Sequence, residues 1–257
     1  MLSSLRTSAG SRSTKHAHVL ADIVTVLTRL DYKITKRVCD TRDHGIPQSR
    51  PRLYITAIRR SCYARKYPLP KPVKAPSLLR FVDDSKARKD SINDLSETGL
   101  ANIQYWRKKK KRSDGIDILA GPYVLDIGAS CKFRNMMLDC SPCLTKARAG
   151  CGGHFIACLR RTMTIADIGR LQGATTIMVQ SLVEAAAGDT SKVGRALGDA
   201  MSINVLMRLV PRALWCAGLI DALPLDIWSK TPPRSGMLPD VLYRRGDDIG
   251  DPLRGAR

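Results

Sequence analysis

Aromatic and acidic residues are both scarce in this chain. Of 257 residues only three are Phe and three Trp, aromatics make up 5%, and 23 Asp and Glu stand against 43 Lys and Arg, for a net charge of +20. The first shortage means a core of aliphatic side chains. The second excludes an acidic, cation-buffering protein and points to a polyanionic partner. Long apolar runs are missing too. A membrane span needs about 20 apolar residues, and the nearest candidate, 213–225, is interrupted by Gly218 and Asp221, so no membrane contact is expected. Without a convincing secretory leader, the eight cysteines read as free thiols of a reducing compartment.

The positive charge is unevenly placed, with +18 of the +20 lying before residue 161. Each phosphate neutralised by such a surface releases condensed counterions, so the expected partner is a nucleic acid. The densest run is Arg107, Lys108, Lys109, Lys110, Lys111 and Arg112. It reads as a phosphate-contacting patch or a nuclear-localisation signal, and its bland alternative is a solvated loop. Lys146 and Arg148 are further candidate DNA contacts. The localisation that follows is nuclear in a eukaryote and cytoplasmic otherwise.

Three segments carry chemistry. In 40–60, DTRDHGIPQSRPRLYITAIRR, Gly45 allows a sharp bend and Pro47 fixes φ. Gln48, Arg50 and Arg52 alternate, which puts three polar side chains on one face ahead of an apolar strand, Leu53 to Ile58. Segment 161–173, RTMTIADIGRLQG, opens a helix with Thr164 as N-cap and Asp167 three residues on, a shorter relative of the capping box. Segment 198–206, GDAMSINVL, leads into a helix whose apolar stripe, Val205, Leu206, Leu209 and Val210, runs until Pro211. A fourth cluster holds Cys140, Cys143, Cys151 and Cys158 with His154. It suits zinc only loosely, because a single pair has the two-residue gap, and a loop and strand are the preferred reading.

Periodicity organises the remainder. Residues 1–14 are expected to be disordered, and 15–60 hold an amphipathic helix, Lys15 to Leu30, a strand, Lys33 to Cys39, and the Leu53 strand. Four prolines between 68 and 76 mark an extended crossing into an insert, 61–160. Within the insert, Ser91 to Arg107 reads as helix, with short strands at Tyr123 to Ile127 and Phe155 to Leu159. Residues 161–225 return to the first body, and 226–257 read as a disordered, turn-rich tail.

In order and character, the three chemical segments resemble the C-terminal motifs of the DNA cytosine-C5 methyltransferases: a Gln-x-Arg-x-Arg loop, an Arg-Leu-Gln helix and a Gly-Asn-Ala/Ser helix. The resemblance covers about residues 16 to 215. It implies the C-terminal part of a Rossmann-like, S-adenosylmethionine-dependent α/β domain with an irregular target-recognition insert. It also implies methyl transfer to C5 of a cytosine flipped out of DNA. Residue by residue, Arg52 would reach the flipped base with Gln48 and Arg50 in support. Gly198, Asp199, Ala200 and Met201 would line the cofactor pocket, and Arg170 and Gln172 would support the recognition lobe. Asp199 departs from the family's Asn, Asp167 from its Glu, and Ala174-Thr175 from its Phe-Pro. Ahead of Gln48 there is no Pro-Cys nucleophile loop and no cofactor Gly loop. Pro142-Cys143 comes after the Gln-x-Arg-x-Arg loop, in the place of the family's Pro-x-Leu-Thr segment, and is read as a loop cysteine. The chain is thus expected to be a C-terminal half that supplies DNA recognition and part of the base and cofactor pockets, with a chain carrying the missing N-terminal half as a candidate partner. The alternative is a non-catalytic DNA-binding or complementing chain of a split enzyme.

Overall fold

In the computed structural model, residues 3–8, 14–83 and 95–229 are described. A three-stranded antiparallel sheet, ordered β1-β3-β2, is built from β1 (Ser3–Ser8), β2 (Tyr32–Asp40) and β3 (Pro51–Arg59). Residues 3–8, expected to be disordered, form an edge strand instead: their backbone pairs with β3 from Ser3 opposite Ala57 to Ser8 opposite Arg52. Residues 1–2, 9–13 and 230–257 lie outside the described residues. Pro51 opens the central strand, the one ladder position where a missing N–H costs little. Leu53, Tyr54, Ile55, Ala57 and Ile58 follow as its buried run.

Helix α1 (Thr14–Arg29) precedes β2 and packs against it. Its apolar stripe is only partly covered, with Val19 45% and Val26 53% exposed. The opposite layer is α7 (Ile203–Cys216). Val205 and Leu209 of α7 meet Cys39 and Tyr54, and its Ala213 and Cys216 meet Ile58 and Tyr67. This helix runs through Pro211, where the sequence suggested it would stop. Proline inside a helix forfeits one backbone bond, and burying the next turn, through Ala213 and Cys216, offsets that loss.

The second body is a four-stranded antiparallel sheet ordered β5-β4-β6-β7, with β4 (Tyr123–Leu125), β5 (Met136–Leu138), β6 (Phe155–Ile156) and β7 (Arg161–Thr162). The boundary drawn at 160 falls inside this sheet, since Ile156 pairs with Arg161. Helix α2 (Glu97–Asp114) covers it, burying Ile103 with Ile118, Tyr123, Leu125 and Phe155. The basic run 107–112, whose bland reading was a loop, is therefore the second half of a helix, capped by Ser96 and ended by Gly115 at φ 70°. Helices α3 (Lys146–Gly150), α4 (Ile165–Leu171), α5 (Thr176–Ala185) and α6 (Thr190–Asp199) complete the chain. The α3 and α6 backbones nearly touch: a Cβ on Gly194 would lie 2.1 Å from the Ala149 carbonyl oxygen, and one on Gly198 2.5 Å from that of Thr145. Val124, Leu144, Ile156, Leu171, Leu197 and Trp228 share the main core.

Candidate functional site

Three distant segments meet around Gln48, Arg50 and Arg52. The turn at Gly45 (φ 95°) and Pro47 lays residues 48–49 beside Ser141, through Ser49 N donating to Ser141 O (2.8 Å) and Ser141 N to Pro47 O (2.8 Å). Gln48 is fully buried, and its Nε2 donates to the Leu171 carbonyl at the end of α4 (2.8 Å). Arg50 is 1% exposed and spreads its fork over three carbonyls: Leu144 O (2.6 Å), Gly198 O (3.0 Å) and Ala200 O (2.8 Å). Its own backbone N–H donates to Asp40 (2.7 Å). Arg52 is partly exposed, and its guanidinium donates to Pro51 O (2.8 Å) and to Cys143 Sγ (3.3 Å). Arg50 reaches the same sulfur at 3.5 Å. The two arginines thus converge, while Gln48 is turned to a different anchor. Arg52 Nε is buried without a hydrogen-bond partner.

The segment 198–201 is the end of α6 and the turn after it, rather than the start of a helix as the sequence suggested. Apolar Val193 and Leu197 with Gly194 and Gly198 make α6 a helix packed on α3, and α7 begins only at Ile203. Gly198 is buried and Asp199 is exposed. The carbonyls of Gly198 and Ala200 already accept from Arg50.

Arg170 ties α4 to the 81–83 segment: its guanidinium donates to Phe81 O (2.7 Å) and pairs with Asp167 (2.6 Å) and Asp83 (3.0 Å). Asp167 completes the capping box with Thr164 and also pairs with Arg161 (2.6 Å). Burial alone would raise its carboxyl, but the bonds from Arg161 and from the Thr164 and Asp83 backbone N–H groups together outweigh it and the pKa is lowered. Gln172 is buried, with neither side-chain amide atom partnered, while its carbonyl accepts from Ile203 N (2.9 Å). Lys146 is exposed, whereas Arg148 is drawn inward to Asp126 (2.8 Å). Arg148 therefore holds the 126–129 loop more than it faces solvent.

Two parts of the site gave little sequence signal. Ser202 Oγ meets Thr41 Oγ1 at 2.6 Å, both buried. Arg208, 2% exposed, bonds His44 Nδ1 (2.9 Å), Lys71 O (2.7 Å) and Asp226 (3.0 Å). The expected disordered tail thus begins in order: Asp226 pairs with Arg208 and Arg212, and Trp228, 4% exposed, lies against Gly45, where an added Cβ would be 2.9 Å from its ring. A charged residue within the apolar stripe of α7 was the available hint. Burial and then Arg208 push the His44 pKa down to about 4. His154 is buried with neither ring nitrogen partnered, and burial lowers its pKa to about 4 as well. Among the described residues no group of three His, Cys, Asp or Glu could hold a metal ion. No described helix is long and apolar enough to cross a membrane.

The sequence model of the C-5 cytosine-specific DNA methylase family matches residues 9–174. No curated protein matches. Among solved structures, a methyltransferase of Entamoeba histolytica, EhMeth, is 19% identical with a TM-score of 0.51, over 83% of this chain and 62% of that one. The Dnmt2 methyltransferase of Schizosaccharomyces pombe is 13% identical with a TM-score of 0.52, over 83% and 67%. The chain thus spans about three fifths of the Entamoeba protein's length. At these identities the likeness speaks to the fold alone: a mixed α/β architecture of the C5-methylase type.

Proposed function

Because the chain belongs to the C-5 cytosine-specific DNA methylase family, we propose that residues 39–52, 141–144 and 171–208 form the base-side wall of a site that methylates C5 of cytosine in DNA. S-adenosylmethionine, the family's usual donor, supplies the methyl group when bound, and the residues seen here supply only part of its surroundings. The observation that carries the reading is the assembly around Arg50. One buried guanidinium ties together the Leu144 segment and the Gly198 to Ala200 turn, while the neighbouring Gln48 takes the end of α4.

Gln48 and Arg50 hold the loop, and Arg52 works. Flipping a base out of a duplex costs a few kcal/mol, which the pocket must offset with polar contacts. Arg52 is the partly exposed member of the trio, with a guanidinium oriented by Pro51 O and Cys143 Sγ. It can donate to a pyrimidine's carbonyl oxygen without reordering its neighbours. The nucleophile and the cofactor loop come from protein outside these segments, and the half-covered stripe of α1 is a surface for such protein to cover.

The test is methyl transfer from labelled S-adenosylmethionine to duplex DNA, with this chain combined with a family segment bearing the Pro-Cys and Gly-rich loops. Activity that needs both parts, and that Arg52→Ala lowers by about 10²-fold or more, supports the reading. Activity untouched by Arg52→Ala sinks it.

A further inference from the structure

The cationic face of α2 takes no part in the site above. Arg107, Lys108, Lys109, Lys111 and Arg112 are all exposed. Lys110 pairs with Asp114, and Arg107 lies 3.6 Å from Asp117. Lys111 and Arg112 lie in the last turn, where cations complement the helix carbonyls. That accounts for those two and leaves Lys108 and Lys109 unexplained. Lys108, Lys111 and Arg112 stand at i, i+3 and i+4, so they share one face. With Gln104, Arg107 and Asp117 they line a shallow depression of about 430 Å³. A second depression, of about 510 Å³, shares Lys108 and Arg112. Like charges so spaced repel one another, and a polyanion lying along them relieves the repulsion.

The neighbouring aromatic rings decide which polyanion surface fits. Arg134 lies over the Tyr105 ring at 4.2 Å, and Lys109 sits over Tyr105 at 5.6 Å and Trp106 at 5.1 Å. Arg134 is fixed further by Asn102 Oδ1 (2.6 Å), and buried Asn102 donates to the Ile127 and Ala129 carbonyls. These rings order cations rather than stand free as platforms for unstacked bases. A membrane surface fits poorly as well, since a helix lying in lipid needs a free apolar face, and α2 spends its Ile103 and Trp106 on the β4 and β6 side of the second body.

We infer that α2 is a sequence-independent clamp on the phosphate backbone of a nucleic-acid duplex, with Lys108, Lys111 and Arg112 facing phosphates and Arg134 held beside them. The clamp rests on the methylase reading only for the identity of its polyanion.

The test uses the full chain and a labelled duplex of about twenty A·T pairs, read by fluorescence anisotropy from about 50 to about 300 mM salt. Because that duplex has no cytosine, binding is separated from methyl acceptance. For K108Q/K111Q/R112Q the slope of log affinity against log salt should shrink by about two to three, at about 0.9 per lost phosphate contact, with affinity down at least about tenfold at low salt. K192Q, an exposed lysine on α6, should behave as the parent does. K108E/R112E should weaken binding more than the glutamine variant, with helical circular dichroism retained in both. An unchanged slope in the glutamine variant overturns the clamp even if Arg52 proves essential for methyl transfer. Tighter binding of phosphatidylserine vesicles than of the duplex would also overturn it, in favour of a lipid surface.

Discussion

Arginine has two opposite fates in this molecule. Around residues 39–52, Arg50 and Arg208 are 1% and 2% exposed, and each spreads its fork over partners from distant parts of the chain. Along α2, Arg107, Arg112 and three of the lysines are exposed, with like charges as their neighbours. A buried guanidinium has five donors in a rigid plane, so it can satisfy carbonyls that would otherwise be desolvated and unpaired. An exposed one gains little inside the protein, because surface ion pairs contribute at most about 1 kcal/mol. The first kind holds the fold, and the second is free to serve a partner. Arg52 sits between them, anchored but partly exposed, which is why the proposed chemistry is assigned to it.

The most direct way to break this contrast is Arg50→Met. It leaves the Leu144, Gly198 and Ala200 carbonyls without their shared donor, and the expected loss is about 3–5 kcal/mol in urea unfolding. Arg50→Lys should recover only part of it, since an ammonium lacks the planar fork. A methionine variant as stable as the parent would mean that the buried arginine is no fastener.

Next in size is the packing that holds the same loop from behind. Trp228→Ala should cost about 3–5 kcal/mol, since the ring is 4% exposed and lies on Gly45. Gly45→Ala adds strain at φ 95° and pushes a methyl into Trp228 Cε3 at 2.9 Å. With tryptophan gone the clash goes too, so the double variant should be more stable than the sum of the two losses implies, a coupling of about 0.5–3 kcal/mol. Strict additivity would show that the strap and the turn do not touch in solution.

A smaller effect is expected from pH. In the unfolded chain His takes a proton near pH 6.5, whereas native His44 and His154 are held down to about 4. Between those values the unfolded state binds more protons, so stability is full above about pH 6.5 and falls as pH drops toward 4. The melting temperature should decline through this window, and His154→Leu, which removes an imidazole without partners, should flatten the decline. A melting temperature independent of pH there would mean that these imidazoles take up protons in the native state.

Local rules read much of this from sequence. The stripe of α1, the run in β3 and the Thr164 cap each rest on residues within one turn or one strand of each other, and the structure places helix, strand and cap at those positions. What sequence could not give was long-range. Ser3–Ser8 has no apolar alternation, and its strand is imposed by the open edge of β3. The motif resemblance puts a helix start at Gly198, while the reason for glycine there is the Thr145 carbonyl, 53 residues away in the chain. Alternation brings Arg50 to the site without its carbonyls, and a charge inside the apolar stripe of α7 is all that sets Arg208 apart. Only the fold supplies the carbonyls, the imidazole and the carboxylate that bury them.

The smallest expected effect sharpens the contrast from the other side. If the α2 cations serve a partner, neutralising them should leave folding alone: K108Q/K111Q/R112Q should shift stability by no more than about 0.5 kcal/mol. The sign is informative. Relief of repulsion at i,i+3 and i,i+4 favours the variant, while the loss of two cations from the last turn disfavours it by a few tenths of a kcal/mol each. These terms nearly cancel at low salt, and both are screened at high salt. Unfolding followed against ionic strength should therefore give nearly parallel curves for variant and parent. A variant clearly less stable than the parent at every salt concentration would place these side chains among the fasteners, alongside Arg50, and remove the reason to look for a phosphate backbone on this helix.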